Sequence, residues 1–141
     1  MRKSKQYPYI AADSELGEAS LRPFLPLTLI HQGNSIEVVG LLDTGAMINV
    51  LPWQLGIELG AVWEEQANSL QLTGNLAPYE ARVLLVAAEI GQFESVRLAF
   101  AWTQAENVPL LLGQVNFFME FDVCFYRSQL TFDVGVKSAA A

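Results

Sequence analysis

The chain has 141 residues, 52% of them hydrophobic and 16% charged, with a net charge of −7 and a pI near 4.5. That length fits one domain with a real core, and an acidic chain with no basic stripe to neutralise phosphates is a poor nucleic-acid binder. So apolar a composition is also consistent with surface covered by a partner chain.

The N-terminus, MRKSKQYPYI, starts basic but has no apolar segment behind it, so no signal peptide is read and the cytoplasm is the expected compartment. Residues 1–20 are polar and mixed in charge, without periodicity. With the next two residues they read as a flexible or loosely packed extension, 1–22. From residue 23 the pattern is that of strands. Pro26–His31 and Ser35–Leu42 flank Gly33-Asn34, a two-residue hairpin signal, and His31 stands at its tip. Asp43-Thr44-Gly45 interrupts the run, Met47–Leu51 reads as another short strand, and Pro52 opens a brief helical turn through Leu55 that Gly56 or Gly60 closes.

Leu70 and Leu72 alternate with polar residues before a turn at Thr73-Gly74-Asn75, and the alternation resumes past Pro78, which predicts a second hairpin with an exposed tip. Arg82–Ile90 and Phe93–Trp102 flank Gly91-Gln92 as a third hairpin, apolar enough to be covered on both faces. Apolar stretches such as Val83–Ala88 are too short to span a bilayer, so no membrane partner is expected. After a loop at 104–107 comes Pro109-Leu110-Leu111-Leu112-Gly113, then Gln114–Glu120 as a short helix. Phe121–Tyr126 and Gln129–Val134 close the domain over Arg127-Ser128, and residues 136–141 form a frayed tail. The expected architecture is one mainly β domain over 23–135, a closed or heavily curled sheet with one or two short helices. Each half runs hairpin, leucine pair, glycine and short helix (LLDTG, LLLG), a faint internal repeat.

The chain has one cysteine, Cys124, which cannot form an internal disulfide and reads as a small buried hydrophobe. One histidine and one cysteine cannot build a zinc site, so no metal or other cofactor is expected. Ser-His or Cys-His catalysis would rest on these singletons without a third group to orient the base. Aspartate chemistry is what remains. Asp43 ends an apolar strand, where an ionised carboxylate is costly unless it is hydrogen-bonded or paired. Either it caps backbone amides in an Asx-type turn with Gly45 supplying the unusual backbone angle, or it is held there for chemistry. The three tryptophans, Trp53, Trp63 and Trp102, read as core or interface anchors, Tyr79 as a packing residue and Glu64-Glu65 as a solvated pair.

Taken with its context, LLDTGAMINVLP followed by a late LLLG and a short helix resembles the retropepsin-like aspartic peptidases, the fold of the retroviral proteases and their bacterial relatives. The resemblance covers residues 23–135 and is strongest over 40–52 and 109–134. It implies a closed acid-protease barrel and a peptidase in which two carboxylates share one proton. Carried over, Asp43 is the catalytic acid/base, and Thr44 and Gly45 support its loop. Ala46 and a flap at Thr73-Gly74-Asn75-Leu76 meet the peptide substrate, while Leu111-Leu112-Gly113 pack behind. The remaining aspartates lack the Thr/Ser-Gly that follows Asp43, so the second carboxylate must come from another copy, and the implied assembly is a homodimer.

Two departures stand out. An acidic residue commonly follows Asp-Thr-Gly-Ala in the retroviral pattern and an arginine follows the late glycine; here those places hold Met47 and Gln114. Both partners of an ion pair are replaced together, which strands no charge and leaves apolar contacts to hold the dimer. Asn116 also lies three residues after the late glycine rather than two. The competing functions are a catalytically silent peptide-binding or dimerisation module on the same fold, and a small β-barrel scaffold with an incidental turn.

Overall fold

The computed structural model describes residues 4–12, 17, 19–105 and 107–137. Asp13-Ser14-Glu15 and the tail from residue 138 lie outside the described residues. Strand β1, Ser4–Pro8, pairs antiparallel with the last strand of the chain and buries Tyr7 in the main core, so the loosely packed extension expected over 1–22 does not hold there. Tyr7 stacks on Phe132 at 5.5 Å, and that contact is what orders a polar segment with no periodicity of its own. The short strands β2, Ile10–Ala11, and β3, Leu21–Arg22, form a separate two-stranded ribbon.

Strand β4, Phe24–His31, sends Leu25, Leu27 and Leu29 inward and pairs along its whole length with β5, Asn34–Leu42. The turn between them is Gln32-Gly33, one residue earlier than the sequence signal. Both residues have positive φ, 48° and 87°, as a tight two-residue hairpin turn requires. Asn34 is thereby freed to open β5, and its side-chain amide donates to the Leu59 carbonyl at 3.1 Å. After β6, Asn49–Leu51, Pro52 caps helix α1, Trp53–Glu58, and Gly60, at φ 76°, closes it. The tryptophans do form a core cluster: Trp53 stacks on Trp102 at 4.9 Å and Trp63 stands edge-on to both.

Strand β7, Ser69–Leu70, is a short flank to β8, Ala81–Glu89, which pairs with β9, Val96–Thr103. Coverage on both faces holds for the end of β9 but not for β8. There Leu84, Val86 and Ala88 are buried and Leu85 is 49% exposed, because a barrel has one inside. Strand β10, Leu111–Leu112, lies parallel to β5 with Leu111 beside Leu41 and Leu112 beside Leu42, so the two leucine pairs of the faint repeat become neighbours. The helical stretch after Gly113 is shorter than expected: α2 covers Phe117–Glu120. Strands β11, Phe121–Tyr126, and β12, Thr131–Val136, make the closing hairpin, and with β1 a three-stranded sheet. Val136 is thus paired rather than frayed, and Lys137 meets Glu120 at 3.4 Å.

The remaining strands follow the order β4-β5-β10-β6-β9-β8-β7, and β4 also pairs with β8, which closes a barrel of six strands with β7 outside it. Cys124 is exposed rather than buried, opposite Asp133 on the outer face of the three-stranded sheet. The Asp133 carboxylate first, and Cys124 after it, hold the Tyr126 phenol there above its ordinary value. Tyr79 is exposed as well, at 46%, on the stretch that follows the 73–76 turn rather than packed beneath it.

Candidate active site

The Asp43-Thr44-Gly45-Ala46 loop leaves the barrel where β5 ends, and the segment following β10 runs directly behind it. The Asp43 N–H donates to the Leu112 carbonyl at 3.0 Å, the Gln114 N–H to the Ala46 carbonyl at 2.9 Å, and the Val115 N–H to the Met47 carbonyl at 2.7 Å. Within the loop, the Ala46 N–H reaches the Asp43 carbonyl at 3.1 Å. Asp43 itself is half-buried, and its Oδ1 accepts the Gly45 N–H at 2.9 Å. That is the Asx-type turn of the plainer reading, and it leaves the carboxylate partly open to solvent. The plainer reading and the chemical one thus fall on the same carboxylate and are not exclusive.

Gly113 explains why the late leucine pair must end in glycine. A Cβ there would sit 2.6 Å from the Ile48 carbonyl oxygen and 2.9 Å from that of Ala46, so the two backbones approach too closely for any side chain. Leu112 is fully buried behind the loop and Leu111 pairs with Val50 on its other side. Thr44 and Gly45 are exposed and Ala46 is half-buried.

The expected flap has a different form. Its strand stops at Leu70, and the tip is a single 3-10 turn over Gly74–Leu76 rather than a continuous hairpin. Leu72 is buried in a small cluster with Ala81 and Ala101, against which Ile48, Leu70 and Leu76 pack. Ile48 follows the Asp43–Ala46 loop, so that segment and the turn pack against one shared cluster. Thr73, Gly74 and Asn75 are exposed beyond it. A pocket of about 340 Å³ beside this turn is lined by Asn75, Leu76, Tyr79, Gln104, Ala105, Asn107 and Val108.

Two asparagines support the loop from behind; the sequence passed over Asn49 and marked Asn116 only for its spacing from the late glycine. Asn49 is fully buried, its Oδ1 accepting the Gly113 N–H at 2.8 Å and its Nδ2 donating to the Ala99 carbonyl at 3.1 Å and to Asn116 Oδ1 at 3.0 Å. Asn116 in turn accepts the Ala99 N–H and donates to the Arg97 carbonyl, each at 3.1 Å. The signal available was a polar residue inside the core run Ile48-Asn49-Val50-Leu51, since buried polar groups have partners. The third unforeseen contact is made by Gln114, whose Nε2 donates to the Thr44 carbonyl at 2.9 Å.

Among the described residues no cluster of His, Cys, Asp and Glu could hold a metal ion, and no helix is long and apolar enough to cross a membrane. No protein-family model matches the chain, and no curated protein matches it in sequence. Among solved structures it is similar to a retropepsin-like aspartic protease from Rickettsia conorii. The two share 12% sequence identity at a TM-score of 0.63, over 99% of this chain and 97% of that one. The fold is retropepsin-like.

Proposed function

We propose that the protein is an aspartic endopeptidase that works as a homodimer, each subunit supplying one Asp43. The observation that carries this reading is Asp43 itself: a half-buried carboxylate on a loop pinned from behind by Leu112, Gly113 and Gln114, on a retropepsin-like barrel. Two such carboxylates brought to hydrogen-bond distance cannot both ionise, so the pair holds one proton. The ionised partner takes a proton from water, and the protonated one polarises the scissile carbonyl. Within one chain only Asp43 is followed by Thr-Gly, so a two-fold axis passing beside Thr44 is the economical way to assemble the pair. Ala46 and the turn at Thr73–Leu76 are the proposed walls of the peptide site.

Incubating the purified protein and its Asp43→Asn variant with a diverse peptide pool between pH 4 and 7, with products read by mass spectrometry, tests this. Cleavage by the wild type alone is the expected result. Peptide binding without cleavage by either form would instead mark a silent binding module.

A further inference from the structure

Gln114 grips the candidate catalytic loop twice: its N–H donates to the Ala46 carbonyl at 2.9 Å and its side-chain Nε2 to the Thr44 carbonyl at 2.9 Å. The second bond has a consequence that follows from peptide planarity. The Thr44 carbonyl and the Gly45 N–H belong to one rigid peptide unit. That N–H donates to Asp43 Oδ1 at 2.9 Å. Fixing the carbonyl end of the unit therefore fixes the direction of the N–H that holds the carboxylate. Such bonds in series also polarise one another, so the donor at one end strengthens the acceptor contact at the other.

We infer that Gln114 is a positioning residue for the Asp43 carboxylate, acting through the Thr44–Gly45 peptide by a tether that carries no charge. This rests on the aspartic-peptidase reading above. A neutral donor has a specific benefit in a site whose own proton count must change during turnover. Over residues 43–48 and 109–119, which pack together here, Asp43 is the only ionisable side chain; on β9, which meets Asn116, it is Arg97. A neutral tether thus keeps its hydrogen bond whether the Asp43 carboxyl is ionised or protonated, whereas an acid–base pair in its place would loosen in acid.

The test uses full-length wild type, Gln114→Leu and Gln114→Glu, assayed from pH 4 to 8 beside thermal unfolding. Gln114→Leu should lose about tenfold or more in kcat at every pH, with KM and Tm near wild type, since small misplacements of a reacting group cost factors of this size. Gln114→Glu should work in acid, where its protonated carboxyl can donate to the Thr44 carbonyl. It should fail above about pH 5, near the ordinary glutamic acid range, where its carboxylate repels that oxygen. A merely structural side chain would give the two variants parallel losses with a lowered Tm, and that pattern, or an unchanged pH profile in Gln114→Glu, overturns the inference. Amide exchange at Gly45, taken relative to wild type at each pH, separates the two hypotheses. If the wild type cleaves nothing, the peptidase reading fails, while faster Gly45 exchange in Gln114→Leu, and in Gln114→Glu only above about pH 5, still supports the tether. Unchanged exchange refutes it.

Discussion

The Gly113 N–H and Asn49 Oδ1 are joined at 2.8 Å across 64 residues of sequence, and this bond ties the segment behind the candidate catalytic loop to the strand that follows it. Asn49, itself fully buried, completes the tie by donating to the Ala99 carbonyl and to Asn116. Truncating it to alanine leaves the buried Gly113 N–H without its partner, at about 1–3 kcal/mol, and the half-buried Ala99 carbonyl without its own, at about 1 kcal/mol. Asn49→Ala should accordingly lose about 2–4 kcal/mol in urea unfolding. A loss below about 1 kcal/mol would mean that neighbouring groups or water replace the network.

Gly56 gives a prediction opposite to helix propensity. It lies inside α1, where alanine would ordinarily gain about 1 kcal/mol. A Cβ at this position would fall 2.2 Å from the Trp102 ring. That ring cannot move aside, since it is stacked on Trp53, faces the edge of Trp63 and donates from Nε1 to the Trp53 carbonyl at 3.1 Å. Gly56→Ala should therefore destabilise by about 1–3 kcal/mol, the usual cost of overpacking, read as a lowered Tm. A raised Tm would show that the tryptophan cluster yields.

Much of the fold was legible because alternation and turn residues are local signals. Leu25, Leu27 and Leu29 announce a strand on their own, and the two leucine pairs with their glycines point to the site. What escaped depends on contacts the local pattern does not encode. Residues 4–8 become a strand because Tyr7 finds Phe132 some 125 positions away, as the numbering shows. Cys124 is exposed because an edge strand has an outer face, which a run such as Val123-Cys124-Phe125 does not reveal. The hairpin turn moved by one residue because Asn34 has a better use in bonding Leu59. Within the site, Asp43 and the Leu111-Leu112-Gly113 backing were visible, while the amide contacts of Gln114, Asn49 and Asn116 were not, since a glutamine or an asparagine becomes informative only once its distant acceptor is known.

Tyr7 supplies a test at the alkaline end. Its hydroxyl is buried with no hydrogen-bond partner among the described residues, and burial raises its phenol above the ordinary value. A raised group stabilises fully below its unfolded value, near pH 10, and that contribution is lost as pH climbs through the higher folded value. Tyr7→Phe keeps the stacking on Phe132, removes the unpartnered hydroxyl and removes this titration. It should match or exceed wild-type stability at pH 7, by about 1 kcal/mol at most, and hold that stability further above pH 10. A clear loss at pH 7 would mean the hydroxyl is satisfied in solution.

Asp43→Asn should abolish peptide cleavage and leave folding intact. The asparagine side chain keeps an oxygen to accept the Gly45 N–H, so the turn survives, while the proton-sharing pair does not. Unfolding curves at pH 7 should coincide or favour the variant, because like-charge repulsion across the proposed axis is relieved. Proteolysis undiminished in the variant would end the peptidase reading, and marked unfolding would make Asp43 a turn former alone.

The assembly prediction follows from one Asp-Thr-Gly per chain. If each subunit supplies half of the carboxylate pair, activity per chain must fall on dilution through the dimer dissociation constant. Excess Asp43→Asn chains should likewise poison the wild type by capturing its subunits in mixed pairs. The loop offers the partner no charge beyond Asp43: Met47 is 68% exposed, Val115 bonded to its carbonyl is 48% exposed, and Gln114 is neutral. Apolar contact at such a seam is little affected by moderate salt, whereas exposed ion pairs would be screened within a Debye length of about 8 Å at physiological ionic strength. Two chains of net charge −7 also repel, and salt relieves that repulsion. Raising NaCl should therefore leave the dissociation constant unchanged or lower it. Sedimentation over a dilution series beside a fluorogenic peptide assay measures both effects. Salt-driven dissociation would point to charged contacts elsewhere on the chain, and constant activity in a sample shown to be monomeric would mean that one chain holds a complete site.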